Sequence, residues 1–351
     1  MGAIDADAHV IECRETFKYI SEKDKRYKPM IVTQEADPDD PRVLANDGGF
    51  QKQFWVIDGR LQPMEGNIGS NTTAESREMR SVDARLAHMD ELNIDVQVLF
   101  PTVFLRTWTQ DPTCEVVLCR SYNRWLGDIW SKAKTRLRWA VMPPLLSIEE
   151  TRKELIYGKE NGACGVFVRG IEIDRRLDNP YFFPMYELAQ ELDLPICFHS
   201  GQNTFDMREL YLTESGFGKS KLPVVSAFHS LLMSDVPQMF PKLRWGFVEV
   251  SAQWIPYALN DLAIRFKRKG KRLSKTILAD NNMFVACQVT DDLDYVLRYS
   301  GEGQLVVGTD YGHADTSAEI EALRKLKDDG KVSAAIATRI LTDNARALYG
   351  I

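Results

Sequence analysis

Short apolar runs alternate along this chain with longer stretches whose apolar positions recur at helical spacing. The runs predict strands at Ala3–Val10, Asp95–Pro101, Leu137–Met142, Ala163–Arg169, Pro195–His199, Leu243–Val250, Met283–Cys287 and Gln304–Asp310. Helices are predicted between them over Val82–Leu92, Glu115–Ala133, Ile148–Asn161, Tyr181–Leu192, Val224–Phe240, Trp254–Lys267 and Asp291–Arg298. Two more, Ser317–Asp329 and Val332–Tyr349, close the chain. The strands are apolar on both faces, as parallel strands between two packed layers must be. Eight strand–helix units favour an α/β fold of the closed (β/α)8 TIM-barrel kind over an open doubly wound sheet.

The rhythm is interrupted once. Residues 14–81 carry Pro29, the run Asp37-Pro38-Asp39-Asp40-Pro41 and Asp47-Gly48-Gly49, which belong to irregular chain. Within them, Phe54–Ile57 and Arg60–Leu61 flank Asp58-Gly59, a two-residue hairpin signal. A connection this long in a compact domain is expected to cover a site. The reading is one domain over residues 1–351, with 14–81 as a loop and hairpin insertion over the barrel mouth.

The 351 residues are 44% hydrophobic and 27% charged, with a net charge of −6, which argues against disorder and against a nucleic-acid-binding surface. No apolar run approaches the roughly 18 residues that span a bilayer, and the N-terminal residues do not resemble a secretory signal. A cytoplasmic protein without nucleic-acid or membrane partners is expected, acting on a small molecule as a homodimer or higher homo-oligomer. The six cysteines form no C-x-x-C pair and read as reduced thiols. No G-x-G-x-x-G follows a strand and no Walker A loop is present, so the usual dinucleotide and nucleotide signatures are missing.

The candidate chemistry lies at strand ends. Asp7 and His9 stand at i and i+2 on the first strand and share a face. His199 ends the fifth strand and Asp310 the eighth, with His313 three residues on. In a barrel all these ends converge on one mouth. Two imidazoles and two carboxylates suit Zn, Mn or Fe(II) better than Ca or Mg. Arg169, at the end of the fourth strand, is a candidate partner for a substrate carboxylate, and Trp254 and Tyr311 are candidate walls of a substrate pocket.

Several stretches together resemble the amidohydrolase superfamily, in the branch related to aminocarboxymuconate semialdehyde decarboxylase. They are Asp5-Ala6-Asp7-Ala8-His9-Val10-Ile11-Glu12, Val82–Asp90, Leu192–His199, Gly308-Thr309-Asp310-Tyr311-Gly312-His313 and Asn344–Gly350. The resemblance implies a metal held by Asp7, His9, His199 and Asp310, with Asp310 as general base. It also implies a departure, because Glu249 stands where those decarboxylases carry a histidine at the end of the sixth strand. His229 lies in the helix after the fifth strand, where relatives also have a histidine. One ion is expected, or two if His229, Glu249 and His313 also face the bowl. The implied reaction is hydrolysis or non-oxidative decarboxylation of a small organic acid, with Asp310, Glu249 and His229 as catalytic candidates. The alternatives are a non-haem diiron oxygenase on the same fold and, less favoured, a catalytically inactive barrel kept as a binding scaffold.

Overall fold

A computed structural model describes residues 2–33, 53–64, 68–133, 135–210 and 215–351. Its main sheet has eight strands in sequential order: β1 (Ala3–His9), β2 (Ile94–Phe100), β3 (Leu137–Val141), β4 (Ala163–Val168), β5 (Ile196–His199), β6 (Trp245–Val248), β7 (Met283–Cys287) and β8 (Leu305–Val307). Every neighbouring pair is parallel. Helices follow the strands on the outside: α1 (Val82–Glu91), α2 (Pro112–Ala133), α3 (Ile148–Glu160), α4 (Phe183–Glu191), α5 (Leu222–Met233), α6 (Ile255–Arg268) and α7 (Leu293–Ser300). Local chemistry starts them where the sequence suggests. Ser81, Ser147 and Asp292 accept the backbone N–H groups of Ala84, Glu150 and Tyr295 as N-caps. On α2 the buried positions Leu118, Tyr122, Trp125, Leu126 and Ile129 trace one helical stripe against the barrel. The architecture is the expected (β/α)8 barrel.

The seam between β1 and β8 closes the barrel. Asp310 N–H donates to Asp7 O at 2.9 Å, and His9 N–H to Tyr311 O at 3.1 Å. Gly308 permits this approach, because a Cβ there would sit 2.8 Å from both Cα and N of Asp7. Beneath the seam, the buried Asp5 carboxylate accepts the Thr309 N–H at 2.8 Å, the Thr309 hydroxyl at 2.6 Å and the Gln97 amide at 2.8 Å. Gln97 in turn accepts from Arg85 Nε at 2.6 Å, and Arg85 donates to His9 O at 3.1 Å. Burial pushes the Asp5 carboxyl up to about 6, while the bonds from Thr309 and Gln97 pull it down. One chain of polar contacts therefore ties β1, β2, α1 and the end of β8.

The structure corrects several boundaries. The stretch expected as one helix over Val224–Phe240 is α5 and a short turn, Val236–Met239, with Asp235 between them in left-handed backbone (φ 58°). The helix expected from Ser317 begins at Ala322. The last helix contains a π-helical segment, Arg339–Asp343, between Ala334–Thr338 and Asn344–Tyr349. β6 stops at Val248 and β8 at Val307, short of Glu249 and Asp310.

The hairpin in the 14–81 segment is present, as Gln53–Ile57 and Arg60–Pro63, and Met30–Thr33 adds a third antiparallel strand. Asp58 (φ 48°) and Gly59 (φ 70°) form the left-handed turn that their sequence signals. Trp55 is buried against Phe17, with ring centroids 5.2 Å apart, and Asp58 accepts the Thr109 hydroxyl at 2.7 Å. Residues 34–52 and 65–67 of this segment lie outside the described residues. All six cysteines are free thiols. Among the described residues, no helix is long and apolar enough to cross a membrane.

Asp5→Ala strands four buried donors at once, the Asp7 N–H among them, and is expected to cost about 3 kcal/mol of stability. Thr309→Val removes one of the two bonds that residue makes and is expected to cost about 1 kcal/mol. Urea unfolding monitored by tryptophan fluorescence distinguishes the two.

Candidate metal centre

The mouth of the barrel gathers the strand-end residues. His199 Nε2 lies 3.2 Å from Asp7 Oδ1. His9 Nε2 lies 3.2 Å from Asp310 Oδ1 and 3.5 Å from Asp7 Oδ1. The two rings are edge-to-face, 5.0 Å between centroids. Their orientations follow from the second nitrogen. His9 Nδ1 is 2.8 Å from Pro101 O, and His199 Nδ1 is 2.8 Å from Ser200 O and 3.1 Å from Glu249 Oε2. A carbonyl can only accept, so Nδ1 carries the proton in each ring and each Nε2 presents a lone pair. Asp7, His9 and His199 offer ligand atoms within 4.8 Å of one another.

A second group adjoins the first through Asp310. His313 Nδ1 lies 2.7 Å from Asp310 Oδ1, and its Nε2 lies 2.9 Å from Thr102 Oγ1. The Thr102 hydroxyl gives its single proton to Val10 O at 2.8 Å, so it accepts from His313 Nε2–H. That leaves the His313 Nδ1 lone pair facing a carboxylate oxygen. His9, Asp310 and His313 form one further ligand group, and Glu249, Asp310 and Asp315 another.

This arrangement leaves buried atoms without hydrogen bonds: His9 Nε2, both Asp310 oxygens, His313 Nδ1 and Glu249 Oε2. Lone pairs facing lone pairs in a dry interior are costly unless a proton or a cation lies among them. Their proton affinities show the same tension. Burial, followed by the charges of Glu249, Asp315 and Asp7, holds Asp310 well above the usual carboxylate range. Glu249 is raised in the same way, by burial and then by Asp315 and Asp7. Burial pushes His313 well below the usual imidazole range, and His9 down as well. Burial also opposes ionisation of Asp7, but His199 and His9 outweigh it and bring its carboxyl down. The imidazole and carboxylate donors, convergent and unsatisfied, fit a divalent transition ion.

The backbone at the site is strained. Glu249 (φ 59°), Ser251 (φ 59°) and Asp310 (φ 53°) all adopt left-handed conformations as non-glycine residues. Asp291 holds the first turn in place, accepting the Ser251 hydroxyl at 2.5 Å and the N–H groups of Ala252 and Gln288, both at 2.9 Å.

A cavity of about 1210 Å³ opens above the cluster. Glu249, His313 and Asp315 reach its wall, along with Trp254 and Arg106. Asp7, His9, His199 and Asp310 lie beneath, each at most 3% exposed. Among the described residues, the 14–81 insertion contributes nothing to this wall, which is built instead from the turns after β2, β5, β6 and β8. The insertion reaches the mouth beside this cavity instead: Gly69 N–H donates to Gly312 O at 2.8 Å, and Gly69–Thr72 line a smaller pocket with Asp310, His313 and Asp315.

Three further expectations are corrected. His229 pairs with Asp261 on α6 at 2.8 Å, is partly exposed and is absent from the cavity wall. Its helix position turns it toward the outer layer, so it joins neither the ligand cluster nor the catalytic groups. Arg169 is held bidentately by Glu172, through Nε at 3.0 Å and Nη2 at 2.5 Å, so its guanidinium is already matched to a carboxylate. Tyr311 is fully buried; its hydroxyl meets His88 Nδ1 at 2.7 Å and Ser76 Oγ at 3.0 Å, and its ring covers Arg85. It supports the seam rather than the cavity.

Sequence reasoning missed Asp315, Thr102 and Glu12. Glu12 accepts the N–H groups of Val103 at 2.8 Å and Thr102 at 3.1 Å, fixing the turn that sets Thr102 against His313. Its place in the Asp5–Glu12 stretch was the available signal. Asp315 follows the last strand by several residues and had no periodic cue.

The molecule is a (β/α)8 barrel whose strand ends bring imidazoles and carboxylates that could hold a metal to the floor of one large cavity. The family model described as amidohydrolase matches residues 4–273, and the chain belongs to the amidohydrolase family. The fold is similar to that of an amidohydrolase from Mycobacterium avium subsp. paratuberculosis, with 18% identity, 99% of each chain covered and a TM-score of 0.79. It is also similar to 5-carboxyvanillate decarboxylase from Novosphingobium aromaticivorans, solved with manganese and a nitrobenzoic acid, with 20% identity, 79% of this chain and 83% of that one covered and a TM-score of 0.65. A third similar structure is 4-oxalomesaconate hydratase from Rhodopseudomonas palustris, with 16% identity, 99% and 95% covered and a TM-score of 0.64.

Two measurements check this geometry. Burial pushes the Glu12 carboxyl from its ordinary 4.5 up to about 7. The protonated form therefore favours the fold: the contribution is full below about pH 4.5 and is lost as pH rises toward 7, a swing of up to about 3 kcal/mol. Glu12→Gln is expected to flatten the pH dependence of urea unfolding across that window. His229→Ala is expected to leave metal content and thermal midpoint as in the parent, measured by elemental analysis and calorimetry.

Proposed function

We propose that this chain is a metal-dependent lyase or hydrolase of small carboxylated or cyclic organic molecules. Asp7, His9, His199 and Asp310 would hold one divalent ion, Zn, Mn or Fe. The observation that carries the reading is the convergence of buried, hydrogen-bond-deficient ligand atoms below a cavity large enough for a small organic acid. A divalent ion there supplies a Lewis acid that polarises a carboxylate or carbonyl oxygen and acidifies water.

The chain's own residues do the rest. Asp310, in contact with both His9 and His313, takes up and returns the proton. Glu249 Oε2 lies 3.1 Å from His199 Nδ1, and the side chain reaches the cavity wall. Trp254 forms part of the wall, fixed by its Nε1 donating to Ser251 O at 2.7 Å. The manganese-bound decarboxylase among the similar structures supports decarboxylation, and the hydratase supports chemistry on water addition.

A second reading, oxygenation by a two-iron centre, is favoured by one observation. Asp310 belongs to two ligand groups at once, with His313 in one and Glu249 and Asp315 in the other. That set exceeds the needs of a single ion.

Elemental analysis after loading with Mn, Zn or Fe(II), followed by assay of carbon dioxide release from a panel of hydroxybenzoates and of lactone hydrolysis, tests both. One ion per chain with turnover of either kind supports the first reading. Two irons with oxygen consumption support the second, and a folded protein that retains no ion sinks both. In the active form, Asp310→Asn is expected to lower kcat by about 10²–10⁴-fold.

A further inference from the structure

The cavity wall contains a cation that no group among the described residues pairs with. The buried guanidiniums have partners: Arg85 has Gln97, the His9 carbonyl and the Tyr311 ring, and Arg169 has Glu172. Arg106 lines the cavity, is half-buried, and has no carboxylate, carbonyl or ring on its guanidinium among the described residues. Burial, followed by the charge of Arg208, brings its proton affinity down. A half-desolvated guanidinium beside a like charge, with nothing opposite, is an arrangement that an anion would relieve.

Its backbone is fixed. Residues 105–107 run across the top of the barrel to meet the turn after β5. Gln202 N–H donates to Leu105 O at 2.8 Å and Thr107 N–H to Gln202 O at 3.0 Å, and Arg106 bridges to Gln202. Gly201 makes the approach possible, since a Cβ there would fall 2.4 Å from Leu105 O. Arg106 is therefore carried on a short ladder that spans the mouth.

The floor below is acidic, with Glu249 and Asp315 on the cavity wall and Asp310 and Asp7 beneath. An anionic molecule can enter such a bowl where a cation in the wall offsets the repulsion. Lys221 is also in the wall, but its ammonium donates to Thr316 and Ser317 and acts on Glu249. Apolar surface lies between floor and rim, from Leu105, Val225 and Trp254.

We infer that Arg106 is the anchor for a carboxylate on the substrate, so that the cavity takes an acid with an aromatic or otherwise apolar body between that carboxylate and the floor. The inference deepens the proposed function and rests on its placing of the substrate in this cavity. It does not need the ion itself. Arg106 sets which molecules are held, through charge and a planar two-pronged donor that lysine does not reproduce.

Titration calorimetry with benzoate and with benzamide, which share a shape and differ in charge, tests it on the full chain with and without added manganese. The parent protein is expected to bind benzoate about tenfold or more tightly than benzamide, in both forms. Arg106→Leu is expected to abolish that preference and Arg106→Lys to restore part of it, with circular dichroism confirming that each variant folds. No preference in the parent protein overturns the inference. So does a preference that survives Arg106→Leu, or one that falls with Lys221→Met instead. If the preference appears and follows Arg106 while manganese fails to bind, the carboxylate anchor stands and the metal-dependent reading falls.

Discussion

Everything at the mouth of this barrel depends on the seam between its first strand and the chain leaving its last. The Asp5 carboxylate draws Thr309 in by two bonds, and the following peptide then pairs Asp310 N–H with Asp7 O. That register places the Asp310 side chain beside His9 instead of outside the barrel. The same carboxylate reaches β2 through Gln97, and Arg85 returns the chain of contacts to the His9 carbonyl. A buried acid outside the candidate cluster thus positions the acids and imidazoles within it. Removing its partners would release both the closure of the sheet and the geometry of the cluster.

Above the seam, each ring nitrogen is assigned by a backbone or hydroxyl partner. Pro101 O orients His9, Ser200 O orients His199, and Thr102 orients His313 after giving its own proton to Val10 O. The ligand atoms are those left over once these bonds are made. The same logic explains why Arg169 and Arg106 differ: Glu172 answers the first, and no carboxylate among the described residues answers the second.

Much of the fold was legible because parallel strands buried on both faces leave an unmistakable rhythm. Asp7, His9, His199 and Asp310 were legible because strand ends in a barrel converge, whatever their distance along the chain. Longer-range partners were not. His229 looked available until Asp261, thirty-two positions away on the next helix, was seen to hold it. Arg169 looked available although Glu172 was three residues off, because nothing in spacing alone shows that a turn folds back. Asp315 and Arg106 stand on turns, where side-chain direction depends on contacts such as the Leu105–Gln202 bond that carry no sequence period. The 14–81 segment showed its hairpin through Asp58-Gly59 but not its third strand, whose partner lies some twenty residues on.

The left-handed backbone at Glu249 and Asp310 has a consequence for how this protein can change. At such dihedrals glycine, and to a lesser degree asparagine, relaxes the main chain. Random substitution at these two places would therefore find its best-tolerated folds among the replacements that erase a carboxylate. The main chain by itself would favour a side chain without a carboxylate at both places, so each acid there is carried at a conformational cost.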